Sequence, residues 1–79
     1  MPTKQETQNN LMPQNIEAEE AVLGAILVNP DTLSRVAETL KADYFYKPAH
    51  RYVYEAMLQL FNQNERIDIV TVSEVLSMN

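Results

Sequence analysis

Apolar residues recur at helical spacing in three places along this chain, and the third is the most regular. Ala49, Tyr52, Val53, Ala56, Met57, Leu60 and Phe61 alternate at intervals of three and one, a period close to 3.6 held for more than three turns. Pro48 suits the first helical position, and Asn62-Gln63-Asn64 closes the element. Leu33, Val36, Ala37 and Leu40 make a second amphipathic stripe. Asn29 is its expected N-cap, Pro30 its first residue and Asp31 part of its first turn, with Lys41 near the last carbonyls. The first segment is less polarised. Asn15 can cap it and Glu17 falls in its first turn. Ala18, Ala21, Val22, Ala25 and Ile26 form a stripe, but Leu23, Leu27 and Val28 widen it until little polar surface is left. Such a helix is expected to be buried on most sides.

Gly24, the single glycine, falls inside this first helix. It costs about 1 kcal/mol relative to alanine; close approach of another helix backbone is the expected compensation, with a kink as the alternative. Beyond the third helix, Arg66-Ile67-Asp68-Ile69 reads as extended. Thr71-Val72-Ser73-Glu74 has the form of a capping box, with Thr71 as N-cap, Glu74 reaching back, and Val70 and Val75 as the hydrophobic staple. A fourth helix begun there has barely two turns before Asn79, and isolated short helices are unstable. The pattern therefore predicts an all-α fold: a small helical bundle, incomplete at its C-terminus. Residues 1–12 are polar and read as a disordered tail, leaving 13–79 as the N-terminal part of one helical domain. The expected core is Val22, Ile26, Leu33, Val36, Leu40, Phe45, Tyr52, Val53, Met57, Leu60 and Phe61. On that reading Phe45→Ala or Tyr52→Ala would each cost about 3–5 kcal/mol in a complete domain.

Composition narrows the functional classes. Seventy-nine residues allow one domain with a small core. Without cysteine there is neither a disulfide nor a thiolate metal site, which suits a reducing compartment. The formal charge of −5 and six scattered Lys and Arg residues argue against a dedicated DNA-binding surface. No apolar run approaches the ~20 residues a membrane helix needs. The polar start Met-Pro-Thr-Lys-Gln-Glu has no apolar core of a secretory signal, and with Arg35 as the first arginine it does not resemble a transit peptide.

Most catalytic chemistry lacks its residues. A phosphate cradle needs glycines whose amides approach the ligand, and one glycine inside a helix cannot provide it. No serine stands in a nucleophile's context beside the single histidine, His50. Glu17, Glu19 and Glu20 crowd one helix start, and Glu17 and Glu20 share a face. No Glu-x-x-His partner completes a di-metal pattern, so they read as a solvated first turn favoured by the helix dipole. No catalytic, cofactor-binding or metal-ligating residue is assigned.

All six aromatic residues lie between Tyr44 and Phe61, around His50. Stacking platforms combine aromatics with basic residues, and Lys41, Lys47 and Arg51 are close in sequence. The acidic charge favours core or rim roles instead. Tyr52 and Phe61 fall on the apolar stripe, and Phe45 suits a plug between the second and third helices. Tyr44, Tyr46 and Tyr54 can bury a ring while keeping the hydroxyl wet. His50 is expected to be buried or half-buried and bonded to a carbonyl, within reach of Tyr54. Arg51 and Glu55 form an exposed i,i+4 pair in the less favourable order, worth about a few tenths of a kcal/mol. The exposed margin Lys47, Arg51 and Tyr54 is the candidate partner contact.

Three segments resemble one family. Pro13-Gln14-Asn15-Ile16-Glu17-Ala18-Glu19-Glu20-Ala21-Val22-Leu23-Gly24 is similar to the opening of the N-terminal domain of the bacterial replicative DNA helicases of the DnaB family. Asp43-Tyr44-Phe45-Tyr46 with His50-Arg51 and Ala56-Met57 resembles that family's second signature, and Ile67-Asp68-Ile69-Val70-Thr71-Val72 its third. The resemblance implies an all-α collar domain of a hexameric ring, with subunit association, primase docking and contact with the helicase loader as its roles, in the cytoplasmic replication machinery of a bacterium or a plastid. It also implies a separate motor domain that binds ATP and Mg, none of whose residues stands in this chain, and no direct DNA binding by this segment. The chain alone is then no enzyme, while the full-length protein it resembles is an ATP-dependent 5'-3' DNA helicase. Two other readings stay open: a free-standing helical adaptor that binds replication proteins, and a small acid–base enzyme using His50 and the tyrosines.

Overall fold

A computed structural model describes residues 15–78; the expected tail, with Pro13 and Gln14, lies outside the described residues. Within them the chain forms four α-helices and no strand. Helix α1 spans Ile16–Val28, α2 Asp31–Val36, α3 Pro48–Asn62 and α4 Ile69–Ser77, with a 3-10 turn at Ala42–Tyr44 between α2 and α3. The all-α class holds. No helix among the described residues is long and apolar enough to cross a membrane.

The punctuation is largely as the side chains dictate. The Asn15 side chain accepts from the Ala18 amide at 2.9 Å and caps α1. Helix α2 begins at Asp31, one residue later than expected, with Pro30 and not Asn29 at its N-cap position. Asn29 Oδ1 still accepts from the Asp31 amide at 3.2 Å, just ahead of the helix. Helix α2 is shorter than its stripe and passes into a turn after Val36. Pro48 opens α3. Its far end closes through Asn64, whose φ of 62° is left-handed. The Glu65 amide donates back to the Leu60 carbonyl at 2.9 Å and the Asn64 amide to Phe61 at 3.1 Å.

Helix α4 starts three residues earlier than the Thr71-Glu74 pattern suggests. Asp68 is the N-cap: its carboxylate accepts from the Thr71 amide at 2.8 Å, while Thr71 Oγ1 accepts from the Asp68 amide at 3.0 Å. Thr71 thus belongs to the box as its third helical residue, and Glu74 does not close it. The staple shifts with the cap. Ile67 and Val72 are buried at its two positions, and Val70 is exposed. A threonine closes this box in place of the usual Glu or Gln, which is why the sequence pattern pointed three residues downstream.

Leu23, Ile26, Leu33, Phe45, Tyr54, Ala56, Met57, Leu60, Ile67, Val72 and Val75 form the core. Of the expected core, Ile26, Leu33, Phe45, Met57 and Leu60 are buried, and Val36, Leu40 and Val53 pack against it partly covered. Three expected members are not core. Tyr52 is 61% exposed, Phe61 37% and Val22 36%. On α3 the inward face is centred on His50, Tyr54 and Met57. Tyr52 lies two residues from either His50 or Tyr54, about 200° around the helix at 100° per residue. Counting His50 as polar and Tyr54 as rim rotated the expected face the wrong way. Phe61 has the right phase but stands in the last turn.

Helix α1 departs most from expectation. Only Leu23 and Ile26 are buried, so it is not enclosed on most sides. Nothing lies within 4 Å of where a Cβ on Gly24 would stand, so no helix backbone approaches it. Its apolar residues at Ala18, Ala21, Val22, Ala25 and Val28 face outward.

Candidate functional site at the junction of α1 and α3

The chain from Phe45 to Lys47 bends into α3, and side chains from two helices hold it. From α1, the Glu19 carboxylate accepts from the Tyr46 amide at 2.5 Å and the Lys47 amide at 3.3 Å. From α3, Arg51 Nε donates to the Phe45 carbonyl at 2.8 Å and Nη2 to the Tyr46 carbonyl at 3.1 Å. Pro48 has no N–H to offer. One carboxylate therefore meets the two amides that precede it, and the planar guanidinium meets the two carbonyls.

His50 completes the junction. Its Nδ1 lies 2.7 Å from Glu19 Oε1, and its Nε2 lies 3.9 Å from Glu20 Oε2. The partner is a carboxylate, not the expected carbonyl, because α1 crosses the start of α3 with its acidic first turns facing it. Glu19 is accordingly no solvated residue: its side chain is 13% exposed. Burial pushes its carboxyl up, but the Tyr46 amide, the His50 ring and the Lys47 amide together hold it below the ordinary glutamate value.

Beneath the turn the Phe45 ring meets Tyr54 at 5.1 Å, tilted by 37°, and His50 at 6.4 Å, edge-on. Phe45 is the plug its position implied. Tyr54 is fully buried, with no wet hydroxyl: its OH donates to the Leu40 carbonyl at 2.7 Å, and burial pushes its pKa up. That removes Tyr54 from the candidate partner margin. Arg51 is committed to the turn's carbonyls instead of to Glu55. Of the three residues assigned to that margin, Lys47 alone has an exposed side chain free of these contacts, with Tyr44 and Tyr46 exposed beside it.

The arrangement binds helices to one another. Both nitrogens of His50 face carboxylates on α1. Among the described residues no group of three or more His, Asp or Glu is placed to hold a metal ion. Glu19 was the residue that sequence reasoning missed. A usable signal existed in its place one turn after the Asn15 cap, on the side of α1 that carries Leu23 and Ile26.

Residues 11–79 match the family model described as DnaB-like helicase N terminal domain. The chain belongs to that family. It is 50% identical over 66 residues to the replicative DNA helicase DnaB of Synechocystis sp., covering 84% of this chain and 8% of that protein. It is 48% identical over 69 residues to the replicative DNA helicase DnaC of Bacillus subtilis, covering 87% of this chain and 15% of the relative. Its fold is similar to the crystal structure of the N-terminal domain of DnaB helicase from Mycobacterium tuberculosis, with a TM-score of 0.79 and 42% identity. That likeness covers 84% of this chain and 46% of that domain. The DnaB-family chain described here thus spans a small fraction of its curated relatives and about half of the solved domain.

Proposed function

We propose that this chain serves as the opening portion of the N-terminal domain of a replicative DNA helicase, with structural, subunit-association and primase-docking roles in DNA replication. The observation that carries the reading is the family match, which extends over residues 11–79. The outward apolar residues of α1, together with Tyr52, Ile69 and Val70, give such contacts a surface to use. The motor, with its ATP and Mg, would belong to another part of a longer protein, and the helicase loader would be a further partner. Localisation would follow that machinery in the cytoplasm.

A chimera tests the reading. The matching residues of the Bacillus subtilis helicase are replaced by this chain, and native mass spectrometry, primase binding and strand unwinding are measured. The expected result is a chimera that assembles, binds primase and unwinds as its parent does. A chimera that folds but neither assembles nor binds primase would overturn the proposal. Tight primase binding by the free 79-residue chain would favour the adaptor reading instead.

A further inference from the structure

Helix α1 is fastened in two different ways along its length. Leu23 and Ile26 are buried in the core, while no residue from Ile16 to Val22 is buried. Ala18 and Val22 border a shallow apolar depression with Leu40, Tyr44 and Phe45, but both stay exposed. Among the described residues, side-chain hydrogen bonds tie this first half to the turn and α3 through Glu19, to Tyr46, Lys47 and His50, with Glu20 Oε2 3.9 Å from the second nitrogen of His50. Gly24 stands where the two halves meet. No neighbour requires a glycine there, since a Cβ would meet open space. What glycine does supply at that position is low helix propensity and freedom of φ and ψ, the properties of a hinge.

We propose that Ile16–Val22 form a strap that opens independently of the core, hinged at Leu23-Gly24 and held shut by Glu19 on the Tyr46–His50 turn. Opening frees the Tyr46 and Lys47 amides and uncovers the edge of Phe45. Local opening of this kind draws on segments with few buried apolar contacts, and the strap meets that condition while α3 does not.

Native-state amide exchange on the 79-residue chain at neutral pH tests it. The amides of Val22 and Tyr46 are expected to exchange about tenfold or more faster than those of Met57 and Leu60 in the absence of denaturant. Low denaturant should hardly change the first pair and should accelerate the second. Glu19→Ala should speed exchange at Val22 by about tenfold, the scale of a charge-assisted bond. Val72→Ala weakens the core on α4, outside the strap, and should speed Met57 while leaving Val22 unchanged. Exchange of both pairs at one rate with one denaturant dependence would overturn the proposal. So would a Glu19→Ala variant with unchanged Val22 exchange.

Discussion

Helices α1 and α3 invert the usual expectation about apolar content. Almost every residue of α1 after Glu20 is apolar, yet it buries only Leu23 and Ile26. Helix α3 carries polar or charged residues in every turn and buries His50, Tyr54, Ala56, Met57 and Leu60. Sorting decides burial: apolar groups gathered on one face have one place to go. Helix α3 touches α1, α4 and the 3-10 turn, while α1 lies at the margin. The marginal helix is held near its start by a carboxylate and the central one by packing.

Four variants probe that contrast. Phe45→Ala should cost about 3–5 kcal/mol, read as a lowered midpoint in thermal or urea unfolding, because its ring is 3% exposed and packs on Tyr54 and His50. Unaltered unfolding would mean that the turn does not plug the bundle. Tyr54→Phe leaves the Leu40 carbonyl without its donor and should cost about 1–3 kcal/mol. Glu19→Gln should cost about 1–2 kcal/mol at neutral pH. The folded carboxyl of Glu19 is depressed, so its contribution is present in full above pH 4.5 and fades as pH falls through the lower folded value. Stability curves of wild type and Glu19→Gln should therefore converge in acid, and a constant gap down to pH 2 would contradict the assignment. Tyr52→Ala should change stability by no more than about 0.5 kcal/mol. A loss comparable to that of Phe45→Ala would restore the α3 face expected from the sequence.

The sequence carried the class and most of the punctuation. Asn15 and Pro48 each do what their chemistry suggests, and the α3 stripe locates Met57 and Leu60. What escaped notice depended on partners distant along the chain. Glu19 could be placed only once α1 was known to cross the start of α3. The burial of Tyr54 and the carboxylate partner of His50 depend on groups distant in sequence, the Leu40 carbonyl and Glu19, 14 and 31 residues away. The α4 start differs from the expected one for a local reason. An Asp-to-Thr box serves its N-cap and N3 amides just as a Thr-to-Glu box would serve those three residues later, and both patterns overlap in Asp68-Ile69-Val70-Thr71-Val72-Ser73-Glu74.

The left-handed turn at Asn64 also bears on the order of assembly. It fixes the chain's direction between α3 and α4 within residues 63–68, and a short closed loop costs little entropy. Docking α1 means bringing Glu19 to His50 across a far longer stretch of chain. Loop-closure entropy therefore favours pairing α3 with α4 before α1 docks. Substitutions at Ile67 or Val72 should then slow folding, and those at Glu19 should mainly hasten unfolding.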